Sequence, residues 1–360
     1  MSRTIDSRTN FQLAVQLDTA AFPGHAITDI SADVISADVD LSIDADNGAC
    51  TVVLHRLDAA AAENVRLYVY AGWGSTTLIF NGQIAGIAWN ANGTYTLTGQ
   101  DAMARLRFPW TRDDRAYAAA TAESVVQNLV EASGIDSSLT SIAGDGWLIG
   151  VAADVVLHGG STITETGAAG PCDVPLELIR RIDEANGLWR TYSRGDGAVY
   201  RTLRTVDLIG GAIYYTDGTP GGDNPAWQVE RRRDATRIIN AVKVNGASIA
   251  DVPLESLAQA ASAWIPDPPA YNSLQLDAPL VEDQTHADAL AAALLAEYNG
   301  RLNIVTFETP LDATLCPGGT IQINSARRDL VAQRALVTSL HHHCDGRGGV
   351  SSVTCEFREA

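Results

Sequence analysis

The densest group of reactive side chains is His341-His342-His343-Cys344, followed by Cys355. Imidazole nitrogens and thiolates are the ligands of zinc and iron–sulfur centres. Gly346, Gly348 and Gly349 lie between the two cysteines and could fold Cys355 back towards Cys344. That return would also permit a Cys344–Cys355 disulfide in an oxidising medium. Successive side chains of a strand point to opposite faces. His341 and His343 therefore share one face, and His342 and Cys344 the other. Each face then offers two ligands, and no Cys-x-x-Cys pair accompanies them. The preferred reading is a polar hairpin with no metal and no cofactor. Were a metal held here, His341, His343, Cys344 and Cys355 would hold it.

Catalysis has no better footing. A cysteine–histidine nucleophile needs a third group to orient the base, and no spacing marks one. Paired carboxylates for glycoside hydrolysis can be chosen anywhere in so acidic a chain, and none stands out. Gly144-Asp145-Gly146 and Gly159-Gly160 lack the lysine and the strand–helix setting of a phosphate loop. No catalytic residue is expected. Arg231-Arg232-Arg233 is a short basic run. It reads as a solvated strand end, with a salt bridge to an acidic neighbouring subunit as the alternative. Trp73, Trp89, Trp110, Trp147, Trp189, Trp227 and Trp264 are dispersed, as core and interface fillers are.

The elements that would carry these residues are mostly strands. The 360 residues suggest two or three domains, and 46% hydrophobic composition supplies their cores. A net charge of −18 excludes stable nucleic-acid binding as the main task, because phosphate contacts need a basic surface. No apolar run is long enough to span a membrane. The start, Met1 to Asp6, lacks a signal-peptide pattern, so assembly in a cytoplasm is expected. Five cysteines, including Cys50, Cys172 and Cys316, form no even disulfide framework and are expected to be reduced.

Apolar residues alternate at Phe11 to Leu17, Val39 to Ile43, Val65 to Val69 and Tyr95 to Leu97. Such alternation predicts half-buried strands. Asp46-Asn47-Gly48, Asn81-Gly82 and Asn92-Gly93 predict the turns between them. A helix is predicted over 121–134, capped by Thr121 and closed by Gly134. A second runs over 174–186 with Asp173 as its cap. A hairpin follows around Arg194-Gly195-Asp196-Gly197. The run Asp217 to Asn224 reads as a loop near a domain boundary, and Ile265 to Pro269 as a stiff linker. Strand signals resume at Ile238 to Val244. A third helix is predicted over 286–298, entered by a capping box at Thr285 to Asp288. Strands then follow at Ile304 to Phe307, Thr320 to Ile323, Ala335 to Leu340 and Ser352 to Phe357. The chain is thus β-rich α+β, with two barrel-like β domains flanking a smaller α+β domain. The expected boundaries are 1–112, 113–230 and 231–360.

The order of these motifs resembles the late control protein D superfamily of phage tail hubs, baseplate hubs and type VI secretion spike proteins. Leu315-Cys316-Pro317-Gly318-Gly319-Thr320-Ile321, then Leu336 to His342, then Ser352 to Phe357 resemble its closing half. Leu78 to Ile84, Tyr95 to Asp101, Ala122 to Val126 and Arg237 to Val244 resemble its earlier segments. The glycine-rich stretch 143–170 has no counterpart, and no spike or lysozyme domain is attached. The resemblance implies two related barrels per subunit and a homotrimeric ring of six barrel positions. It implies a virion structural protein at the tail tip, and no enzyme. The ring would join the tail tube or distal tail protein to a central spike or fibre. The acidic balance suits a channel that releases DNA at ejection. A receptor- or carbohydrate-binding module is the alternative, and an envelope-degrading hydrolase a third.

Overall fold

The computed structural model describes residues 11–19, 26–110, 113–151, 155–158, 173–204, 213–217, 224–234, 238–249, 252–260 and 272–359. Cys172, Trp264, the Gly159-Gly160 pair and the Ile265–Pro269 linker lie outside them.

Six strands make the first barrel: β1 (Phe11–Asp18), β2 (Val34–Ser42), β3 (Ala49–Leu54), β4 (Arg66–Trp73), β5 (Thr77–Trp89) and β6 (Tyr95–Gln100). Their spatial order is β1-β4-β5-β6-β3-β2, antiparallel throughout. The alternating residues do what their period demands. Val15, Leu17, Val39, Leu67, Val69, Phe80 and Leu97 are all fully buried. Each such side chain contributes about 1.5–3 kcal/mol relative to exposure. β1 and β2 do not pair. On that side a short strand, Ile27–Asp29, pairs antiparallel with Gln16–Asp18 of β1, and a 3₁₀ turn, Ser31–Asp33, leads on to β2. There the Val15 N–H donates to Ser31 Oγ (2.9 Å) and the Ile30 N–H donates to the Val15 carbonyl (3.0 Å).

Asn81-Gly82, expected as a turn, lies inside β5. The turn before β5 is at Gly74 to Thr76 instead. Glycine is needed at 82 for packing: a Cβ there would sit 2.2 Å from the Gln100 carbonyl oxygen and 2.7 Å from the Phe80 ring. Asn92-Gly93 does form its turn, with Gly93 at φ +81°.

The middle of the chain holds α1 (Ala122–Ala132) and α2 (Pro175–Ala185). They pack through Val125, Val126, Leu129, Val130, Leu178, Ile179 and Ile182. Beside them lies the hairpin β7 (Trp189–Ser193) and β8 (Val199–Leu203). Thr121 caps α1 as expected, accepting from the Ser124 N–H at 3.4 Å. Asp173 does not cap α2. Its carboxylate accepts instead from the His158 N–H, and Val174 occupies the cap position.

The second barrel uses β9 (Ile213–Asp217), β10 (Asn224–Asp234), β14 (Arg301–Pro310), β15 (Thr320–Ser325), β16 (Leu330–Asp345) and β17 (Gly348–Glu359). Between β10 and β14 sits a small layer: β11 (Ala241–Ile249), β12 (Val252–Gln259) and β13 (Ser273–Asp277) covered by α3 (Gln284–Tyr298). The strand at 241–244 therefore belongs to this inserted sheet and not to the barrel. α3 is capped by Asp283, which accepts from the His286 N–H at 2.9 Å, two residues before the expected Thr285. The barrel order is β9-β15-β16-β17-β14-β10, and β10 returns to β9. This barrel is closed. Its interior is filled by Tyr215, Val305, Phe307, Ile323, Val337, Val353 and Phe357. Its ladder takes strands from both sides of the 230/231 position, since β10 crosses it.

Counted within each barrel, the strand order is the same: first, fourth, fifth, sixth, third, second. The two differ at the first strand. β1 is antiparallel to β4, whereas β9 is parallel to both its neighbours. No helix of the described residues is long and apolar enough to cross a membrane.

Candidate functional site

Among the described residues the barrels are joined by one strand pair. β16 runs past the end of β15, and its last seven residues, Ser339 to Asp345, pair antiparallel with Ser42 to Ser36 of β2. The histidine run lies on this joint. His341 faces Asp40 and His343 faces Asp38 across the two strands. Nδ1 of His341 is 2.7 Å from Asp40 Oδ1, and Nδ1 of His343 is 2.6 Å from Asp38 Oδ1. Nε2 of His341 lies 3.7 Å from the same Asp38 oxygen. All four side chains are on the solvent face, half-exposed.

The opposite face is buried. His342 is 1% exposed, and its Nδ1 lies 2.8 Å from Ser351 Oγ. Burial pushes its pKa down to about 4; nearby Asp312 acts to raise it and His341 to lower it further. His342 is therefore neutral near pH 7. Cys344 is buried too, and burial pushes its thiol up to about 12, with Asp38 and Asp345 adding to the rise. Burial raises the Cys50 and Cys355 thiols as well. Burial thus favours the protonated thiol of Cys344 and the neutral imidazole of His342.

The expected return of Cys355 to Cys344 does not occur. The β16–β17 turn is tight, at Gly346-Arg347, so Cys344 sits opposite Gly349 while Cys355 sits opposite Val337. At about 3.3 Å per residue the two cysteines are roughly 20 Å apart, far beyond disulfide reach. Cys50, Cys316, Cys344 and Cys355 are free. Of the four candidate ligands the structure brings together only His341 and His343, through Asp38. Among the described residues no group of three or more His, Cys, Asp or Glu is placed to hold a metal. Asp38 and Asp40 were missed from sequence. Their i, i+2 spacing on a predicted strand matches that of His341 and His343, and that match was the available signal.

The β7–β8 hairpin and Arg204 brace the joint. The β7–β8 turn is pressed against the first barrel, where the Asn81 N–H donates to the Gly195 carbonyl (2.7 Å) and its Nδ2 to the Asp196 carbonyl (3.1 Å). Gly195 has φ +84°, and a Cβ there would meet the Ile79 carbonyl at 2.7 Å. On the other side Gly318, φ +75°, abuts Tyr192: a Cβ would lie 1.8 Å from the phenol oxygen. Arg194 stacks over Tyr200 at 4.1 Å. Arg204 donates to Asp44 (3.0 Å) and to Glu356 (2.9 Å), tying the loop after β2 to β17. Beneath the hairpin Arg201, fully buried, donates to Asp183 at 2.7 Å and lies over Trp189. Arg231 of the basic run is held within the chain. Its Nε donates to Asn303 (3.0 Å) and its Nη1 to the Arg328 and Asp329 carbonyls.

Two barrels of one strand order, locked at β2–β16, can be compared as a whole with known folds. A tail protein from Neisseria meningitidis superposes with TM-score 0.69 over 97% of both chains, at 10% identity. The fold is that of phage tail proteins. The 43 kDa tail protein of prophage MuSo2 from Shewanella oneidensis follows at TM-score 0.65 and 12% identity, with 96% of this chain and 98% of that one covered. The E. coli c3393 protein, described as a type VI secretion component similar in structure to T4 tail proteins gp27 and gp5, matches at TM-score 0.55. There identity is 11%, over 91% of this chain and 76% of that one. No protein-family description matches the sequence, and no curated protein matches it. At such identities the likeness is one of fold, and it agrees with the hub superfamily that the motif order resembled.

Proposed function

We propose that the chain is a structural hub of a phage-type tail tip or baseplate, acting without catalysis. Three copies form a ring of six barrel positions that joins the tail tube or distal tail protein to a central spike or fibre. One observation carries this reading: a single chain holds two barrels of the same strand order, fixed to each other by a β-ladder and a braced hairpin. Such a subunit presents two equivalent positions per copy, which fits a sixfold tube to a threefold centre. Closed cyclic symmetry then limits growth. The fold likeness to phage tail proteins supports the same role.

The working division has a first barrel domain to about residue 112, an α+β middle domain, and a second barrel with the α3 layer inserted. The protein belongs to the virion tail tip and is assembled in the host cytoplasm. A net charge of −18 suits a channel that does not retain DNA.

The test is mass in solution by light scattering with negative-stain imaging. A trimer with a central hole and six outer lobes is expected. A chain that binds cell envelopes as a monomer and never forms a ring would replace this reading with that of a receptor-binding module.

A further inference from the structure

Two of the dispersed tryptophans meet at one end of the joint. There the tip of the β16–β17 hairpin, the end of β4, the start of β10 and the end of β14 line one cavity of about 500 Å³. Its walls are Trp73, Pro225, Trp227 and Pro310, and its polar lining is His343, Asp345 and Arg347. Apolar and aromatic walls with a few polar groups, at this volume, are the makeup of a small-ligand site.

The local backbone builds this cavity. Trp73 is held in a T-shaped pair by Phe11, with ring centroids 5.0 Å apart. The hairpin tip can lie beside them because residue 349 is glycine: a Cβ there would come within 2.9 Å of the Phe11 ring and of Leu311. Across the cavity Gln228 has φ +52°, a conformation that few residues other than glycine adopt. The β10–β14 register slips at the same place, between Trp227 and Glu230. Such a bulge re-aims the neighbouring side chain, here Trp227, which stays 44% exposed. The polar groups have capacity to spare. Asp345 Oδ1 accepts from the Arg347 and Gly348 N–H groups at 2.7 and 3.0 Å, which leaves Oδ2. The Arg347 guanidinium is exposed and has no hydrogen bond or ion pair among the described residues.

We propose that this cavity binds a short stretch of neutral polysaccharide, with a sugar ring stacked on Trp227 and its hydroxyls bonded to Asp345 and Arg347. The charges select a neutral ligand. One carboxylate and one guanidinium line the cavity and offset each other, while the whole chain, at −18, repels polyanions. A sugar ring offers an apolar C–H face to an indole plane, and hydroxyls at its edge that both donate and accept. Asp345 Oδ2 requires a donor and Arg347 an acceptor, and two neighbouring hydroxyls supply both. A proline-rich segment also suits an aromatic groove, but its prolines have no N–H to offer the carboxylate. The site lies within one chain, so it stands whether or not copies form a ring. It adds to the hub role a contact with surface glycan.

The test is an array of neutral oligosaccharides of glucose, galactose, mannose and N-acetylglucosamine, probed with the full chain. Wild type should retain at least one of them, and isothermal titration then measures its affinity. Trp227→Ala and Arg347→Ala should each weaken binding by about tenfold or more, as loss of an aromatic or arginine anchor does. Trp89→Ala removes an exposed tryptophan that does not line this cavity, and should bind as wild type. Thermal unfolding close to that of wild type shows that each variant is folded. If no neutral oligosaccharide is retained, or if Trp227→Ala binds as tightly as wild type, the proposal is wrong. Binding of decaproline without any sugar would give the cavity to a peptide and overturn it equally.

Discussion

The two barrels share a strand order and differ in how they are sealed. The second is closed by its own backbone, with β9 between β15 and β10. In the first, β1 and β2 do not pair; the short strand Ile27–Asp29 and the Ser31–Asp33 turn lie along β1 instead, and β2 turns its edge to β16. The difference shows what an open barrel makes possible. A strand edge not paired within its own barrel becomes the connection to the next, and backbone hydrogen bonds make that connection stiff.

Four measurements would break or sharpen this contrast. The largest effect is expected at Gly318, where the closed barrel meets the middle domain. Gly318→Ala forces a side chain into Tyr192 at a positive φ, and should lower unfolding stability by about 3 kcal/mol or more. Denaturant titration measures it; a change under 1 kcal/mol would mean that the hairpin is not wedged there.

Next comes His342, buried at the joint. Its folded pKa, about 4, lies below the ordinary 6.5, so between these values the unfolded chain binds more protons. Stability should fall as pH drops from about 6.5 towards 4, by up to about 3 kcal/mol. His342→Gln should flatten that part of the profile. An unchanged slope in the variant would assign the acid sensitivity to other groups.

Ser31→Ala removes the hydroxyl that bridges the open barrel and should cost about 1 kcal/mol. Amide exchange should rise at Val15 and leave β9 and β10 unchanged. Equal loosening of both barrels would deny that the first barrel is sealed separately.

The smallest effect belongs to the half-exposed pairs on the joint. Asp38→Asn or Asp40→Asn should each change stability by about 0.5 kcal/mol or less, and salt should abolish the difference. A much larger loss would make these pairs the main fastening of the joint in place of the backbone ladder.

Reading the sequence located most strands, because inward residues such as Val15, Leu67 and Leu97 recur every second position. It also placed α1 with its Thr121 cap and the β7–β8 hairpin. It misplaced the turn at Asn81-Gly82, since a glycine needed for close packing against Phe80 and Gln100 looks locally like a turn glycine. It assigned Ile238 to Val244 to a barrel, because a strand of an inserted sheet has the same alternation as one of a barrel. At the candidate site the faces of His341, His342, His343 and Cys344 followed from strand geometry alone. Their partners did not, because Asp38 and Asp40 are about 300 residues away in the chain.

By itself the sequence determined which segments are extended and which faces are buried. Those properties depend on side chains and on neighbours within a few residues. Only the tertiary structure decided that β2, while paired with β3 in its own barrel, gives its other edge to β16, and that Cys344 and Cys355 lie far apart on one hairpin. Strand pairing is made by N–H and C=O groups that nearly every residue carries alike. Which edge meets which is therefore set by the packing of the whole chain.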